Sequence, residues 1–129
     1  MKDRQRKGAI LRDSWRERFE EFAKRLAGEN VYVTIDLDCL CVEEAVTNWE
    51  GGRFTVADLD WALRKLREFA PITGGDICGA YSPPHYARWK QRFAAECDRP
   101  KLAPPNLEKA RATNLAPLEK LWPLLAGSL

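Results

Sequence analysis

Apolar positions recur along this chain first at the spacing of a helix, then at that of a strand, and the two alternate. Trp15, Phe19, Phe22 and Leu26 lie three or four residues apart, with Arg16, Arg18, Glu20, Glu21 and Arg25 between them. That is the pattern of an amphipathic helix whose aromatic stripe needs cover. Ser14 and Glu17 at its start predict a capping box, and Gly28 is a natural stop. Val31 to Leu37 is rich in β-branched residues and nearly continuous in hydrophobicity until Asp36. A parallel strand buried on both faces reads this way. A loop of about 17 residues then carries Glu43, Glu44 and Trp49 to Gly51-Gly52, a length more often functional than idle. Thr55 with Asp58 predicts a second capped helix with Leu59, Leu63, Leu66 and Phe69 on its apolar face. Pro71 ends it, and Ile72 to Cys78 reads as a second strand. Strand, helix and strand make a βαβ unit with a right-handed crossover.

Beyond it, a third helix is expected from Pro83 to about Cys97, with Pro84 in its first turn and Tyr86, Trp89 and Phe93 on one face. Asn106 is placed to cap a last helical stretch whose apolar positions are Leu107, Ala110, Leu115, Leu118, Leu121 and Leu125. Pro117 is expected to kink or split it. The basic residues 1–13, with Lys2, Arg4, Arg6 and Lys7, read as a flexible tail, and residues 14–129 as one domain. The expected fold class is α/β: a partial three-layer αβα arrangement with a parallel sheet, one βαβ unit and flanking amphipathic helices. Two strands are too few. A two-stranded parallel sheet leaves both edges open and its faces half covered. The sheet is therefore expected to be completed by hidden strands, by another chain or by the rest of a larger domain.

Composition changes this picture only a little. At 129 residues, 45% apolar and 31% charged, the chain belongs with globular proteins rather than disordered or fibrous ones. Lys plus Arg number 21 against 19 Asp plus Glu, for a net charge of +2, which gives no general reason to expect nucleic acid or an anionic membrane as partner. No apolar run has the roughly 18 residues of a membrane helix, and no apolar segment follows the basic start as a secretory signal requires. Of the four cysteines, Cys39 and Cys41 are two apart, poor spacing for a shared disulfide and not a zinc knuckle. Reduced, partly buried thiols and a cytoplasmic location are expected.

Asp36 and Asp38 carry the sharpest chemical signal. They stand at i and i+2 at the carboxyl end of a strand, where ligands of open α/β sheets bind. Two unpaired acids there are costly, and a divalent cation is the usual remedy. Side chains alternate along a strand, so a shared metal requires the chain to turn at Leu37 or Asp38. The plainer alternative is that Asp38 caps a loop while Asp36 pairs with a Lys or Arg. Asp76, near the end of the second strand, would add a third acid to the same crevice, although the surrounding glycines are equally what a tight strand and turn need. His85 is the only histidine, and alone it makes neither a triad nor a His-rich metal site.

Taken together, these segments resemble the C-terminal part of the arginase/ureohydrolase family. Thr34-Ile35-Asp36-Leu37-Asp38-Cys39-Leu40-Cys41 resembles that family's S-x-D-x-D-x-x-D segment, whose first two aspartates bind manganese and fall on Asp36 and Asp38. Gly51-Gly52-Arg53-Phe54-Thr55 resembles its Gly-Gly-Leu-Thr turn, and Asp76 to Pro83 stands where the family has D-x-x-E-x-N-P. The likeness covers Val31 to Pro84, some two-fifths of the chain. It implies a Mn²⁺-dependent hydrolase of C–N bonds, in which a hydroxide held between two metals attacks a guanidinium carbon. The departures are equally plain. Cys41 replaces the family's third Asp, Gly79 stands at its guanidinium-binding Glu, and the upstream G-G-D-H and D-A-H-x-D segments have no counterpart. The resemblance thus implies a divergent, truncated member with an incomplete metal site, inactive alone, with Asp36 and Asp38 as metal ligands and Cys41, Asp76 and Gly79 lining the site. Completion by a second copy or a complementing chain is expected, with a small molecule as substrate.

Two other readings compete. The stretch Val31 to Asp38 also resembles the first motif of haloacid-dehalogenase phosphohydrolases, with Asp36 as nucleophile and Asp38 as acid/base, but Leu40 stands where Thr or Val is usual. A non-catalytic interaction module, binding through the Trp15/Phe19/Phe22 or Trp89/Phe93 stripes, is the other.

Overall fold

A computed structural model describes residues 14–98 and 103–127, so the basic segment 1–13 lies outside the described residues. In chain order the elements are α1 (Trp15–Arg25), β1 (Val31–Asp36), a 3-10 turn (Leu37–Cys39), α2 (Val56–Arg67), β2 (Ile72–Cys78), α3 (Trp89–Asp98) and α4 (Leu107–Ala126). The two strands pair in parallel, with Thr34 opposite Asp76 and Asp36 opposite Cys78. The fold is α/β with the expected βαβ unit.

Ala23 of α1, Ile35 of β1, Leu63 and Leu66 of α2, Ile72 of β2, and Leu121 and Leu125 of α4 form one buried cluster. Three helices therefore pack on the same face of the sheet. Burying each leucine there is worth about 1.5–3 kcal/mol. The opposite face carries Tyr32, Thr34 and Asp36, all exposed. Burial on both faces of β1, expected from its hydrophobic run, is thus not observed: the strand alternates, because its even positions are polar or amphipathic and only one helix layer covers the pair. Parallel sheets ordinarily have both faces covered, so the arrangement is a partial αβα.

The helix signals divide in an informative way. At α2 the capping box forms, with Asp58 N–H donating to Thr55 Oγ1 at 3.1 Å and Thr55 N–H donating to Asp58 Oδ2 at 3.1 Å. At α1 it does not: the helix starts at Trp15, but the Ser14 side chain makes no capping bond. There Ala23 is the fully buried residue, Phe19 and Leu26 pack partly buried against the same cluster, and Phe22 is exposed. Helix α3 begins at Trp89 rather than Pro83. Pro83 and Pro84 disfavour the helical region for Ser82 and Pro83, the residues before them, and the chain stays irregular until Arg88. Helix α4 is capped by Asn106, whose side chain accepts from Lys109 N–H at 3.0 Å. It runs unbroken through Pro117 and Pro123. Its buried stripe is Ala110, Asn114, Pro117, Leu121 and Leu125, leaving Leu107 and Leu115 exposed. Pro117 packs inward instead of dividing the helix, and Arg67 of α2 reaches across to bond the Leu124 carbonyl near its end at 2.8 Å.

Candidate functional site

The strand register ends at Asp36, and the chain turns at once. Leu37–Cys39 forms a 3-10 turn in which Asp36 Oδ1 accepts from Asp38 N–H at 3.2 Å. Leu37 and Leu40 hold this turn from beneath, fully buried with Ala45 in a small second core. The alternation that would send the two carboxylates to opposite faces is thereby broken, and both sit at the carboxyl end of β1. The returning loop locks the turn: Gly52 N–H donates to Leu40 O at 2.8 Å, Cys41 N–H to Phe54 O at 2.8 Å, and Phe54 N–H to Cys39 O at 3.1 Å. Gly52 passes so close that a Cβ there would stand 2.1 Å from Cys39 O.

Gly79, just past the end of β2, faces the same carboxylate. Its backbone has φ +85°, and a Cβ would lie 2.0 Å from Asp36 Oδ1. The position that the family resemblance aligns with a substrate-binding Glu thus has no room for any side chain while Asp36 keeps its place. Asp76 lies farther back on the exposed sheet face, where Thr34 Oγ1 donates to its Oδ2 at 3.2 Å. A hydrogen bond to Asp76 and its charge push the Tyr32 phenol above its ordinary value. Cys41 turns to a different neighbour: burial and a hydrogen bond with Glu43 raise its thiol. Asp36 therefore meets both Gly79 and the Asp38 backbone, Asp76 lies on the neighbouring strand, and Cys41 belongs to the loop.

Two thiols beside the carboxylates were not singled out by the sequence pattern as part of the site. Burial first, then the charges of Asp38 and Asp36, raises the Cys39 thiol; burial, then Asp36, Asp76 and Asp38, raises that of Cys78. Strand register is the signal that places Cys78 opposite Asp36. All four cysteines are free, with Cys78 and Cys97 exposed. Among the described residues no ion pair involves Asp36, Asp38 or Asp76, and no group of three or more His, Cys, Asp and Glu side chains is arranged to hold a metal.

The long loop is ordered by side chains that grip its backbone. Asn114 of α4 accepts from Val46 N–H at 2.7 Å and donates to Val46 O at 2.8 Å. Asn48 does the same for Ser82, at 3.1 and 2.9 Å, and Tyr81 N–H donates to Val46 O at 2.9 Å. Glu44 accepts from Val56 N–H at the start of α2. A cleft of about 420 Å³, lined by Val42, Trp49, Tyr81, Pro84 and Pro104, runs beside this loop.

No family model matches the chain, and no solved structure matches it. A protein of Thermotoga maritima, described as an uncharacterized protein, is 36% identical to it over 73 residues, which cover 57% of this chain and 28% of that protein. The chain spans little more than a quarter of the length of the relative it matches. Among the described residues no helix is long and apolar enough to cross a membrane.

Proposed function

We propose that this chain is the aspartate-bearing, C-terminal part of a divergent, cytoplasmic, arginase-like metal-dependent hydrolase of C–N bonds. The supporting observation is the turn at Leu37–Cys39, which sets Asp36 and Asp38 together at the carboxyl end of β1, with no cation paired to either among the described residues. Two adjacent carboxylates on a locked turn are a fitting half of an oxygen-rich divalent site. Asp36 and Asp38 would hold the metal, Mn²⁺ by the resemblance, and Asp76 and Gly79 would border it. The bound metal would lower the pKa of a water and supply the attacking hydroxide. The remaining ligands come from beyond this pair, through a complementing chain or further sequence, and the 129 residues alone are inactive. Gly79 removes the carboxylate that would grip a guanidinium group, so the substrate is a small molecule other than the family's usual one.

The test is a titration with Mn²⁺ alone, following loss of the free-ion electron paramagnetic resonance signal. The 129-residue chain is expected to bind one ion weakly, in the ~0.1–1 mM range of sparsely liganded sites. Asp36→Asn and Asp38→Asn should each abolish binding with circular dichroism unchanged. No binding at about 10 mM Mn²⁺, ten times the weak limit, defeats the reading.

A further inference from the structure

Helix α3 carries two features that the described residues of one copy do not use. It buries no residue, yet Trp89 and Phe93 are 76% and 66% exposed. At about 100° per residue, Trp89, Phe93 and Cys97 share a stripe about 80° wide. An exposed aromatic stripe of this kind marks an interaction surface. Its charges also run against the helix dipole. Arg88, Lys90 and Arg92 stand at the N-terminal end and Glu96 and Asp98 at the other, with no acid in the first turn and no base in the last. The dipole favours the reverse placement. A partner whose charges run the opposite way would offset this, and an antiparallel copy of the same helix is such a partner.

We infer that α3 is the contact of a two-fold symmetric dimer, in which its aromatic stripe packs antiparallel on the same stripe of a second copy. Phe93 lies at the axis, so Trp89 of one chain meets Cys97 of the other. In an antiparallel pair like flanks face each other. Glu96 then falls between Arg88 and Arg92 of the second copy, and Lys90 comes within one turn of Asp98 on the other flank. Within one chain Arg92 Nε already donates to Glu96 Oε1 at 3.1 Å, between exposed side chains, so that bond can join the intermolecular network without breaking anything buried. A concavity of about 1010 Å³ beside the stripe, lined by His85, Trp89 and Phe93 among others, gives the partner's rings room. The helix has 10 residues and is about 15 Å long, shorter than a standard interface requires. The dimer is therefore weak, with a dissociation constant of about 100 µM, or roughly −5.5 kcal/mol. The inference is independent of any metal at Asp36 and Asp38.

Sedimentation equilibrium of the 129-residue chain between about 10 µM and 1 mM, one decade either side of that constant, should show the mass rising from monomer toward dimer. Phe93→Ala should hold it at monomer with circular dichroism unchanged. Charge variants read the orientation. Glu96→Arg makes the flank basic, and Arg88→Glu with Arg92→Glu makes it acidic; each protein alone should stay monomeric, and an equimolar mixture should dimerise. The inference is overturned if the wild type stays monomeric across the range, if Phe93→Ala dimerises equally well, or if the mixture associates no more than its components.

Discussion

Gly79 and Cys78 show how tightly single residues are tied to the Asp36 carboxylate. Because Gly79 has φ +85° and a Cβ would meet Asp36 Oδ1 at 2.0 Å, Gly79→Ala must strain the backbone and displace the carboxylate together. The left-handed region alone costs about 1–2 kcal/mol for a residue with a Cβ, so a loss of about 2 kcal/mol or more is expected in urea unfolding, with the m-value unchanged. Gly79→Glu should lose at least as much and recover no guanidinium binding; a stable, competent Glu variant would show that the crowding is not rigid. For Cys78, local burial and then the carboxylates of Asp36, Asp76 and Asp38 raise the thiol. A raised pKa means less thiolate at any pH below it, and thiolate is the reactive form. Asp36→Asn removes one of those charges, so alkylation of Cys78 at mildly alkaline pH, followed by peptide mass spectrometry, should become faster. The two rates should converge as pH rises past both pKa values. An unchanged rate at the lower pH would remove Asp36 from the surroundings of this thiol.

Elements were legible from sequence where local chemistry decided them and obscure where tertiary packing did. The Thr55–Asp58 box and strand β2 stand where the pattern places them, since a cap pair and a helix-ending proline followed by Ile72-Thr73 act within a few residues. Ser14 with Glu17 carries the same signature and forms no side-chain cap, so the motif is permissive rather than compelling. The face of α4 is legible in part: Ala110, Leu121 and Leu125 are inward as the pattern predicts, but the stripe also contains Asn114 and Pro117, residue types that hydrophobic counting discards. Asn114 is inward because a bare loop backbone awaits it at Val46, and no local pattern reveals a partner 68 positions away. Asn114→Leu keeps the volume but orphans the Val46 amide, while the Val46 carbonyl keeps its bond from Tyr81 N–H. One abandoned part-buried donor costs about 1–3 kcal/mol, so a loss of about 1–3 kcal/mol is expected, together with faster hydrogen exchange at the Val46 amide. Full stability in that variant would mean that water serves Val46 equally well.

On the scale of the molecule, one cluster, in which Leu121 is fully buried, joins three helices to both strands. Leu121→Ala is expected to destabilise by about 2–5 kcal/mol, with tryptophan fluorescence and far-ultraviolet circular dichroism changing at the same urea concentration because the cluster belongs to one cooperative unit. Separate transitions would show that α1 or α4 melts independently. The candidate site was half legible: D-x-D at a strand end was visible, whereas its 3-10 turn, the crowding at Gly79 and the neighbouring thiols depend on register between strands 42 residues apart at Thr34 and Asp76. The Asn114 grip on Val46 also has a temporal meaning. Synthesis at about 5–20 residues per second leaves roughly 3–14 s between the emergence of the two partners. For that interval the loop beside the aspartates lacks its clasp at Val46, and helix α4, emerging later, is the element that closes it.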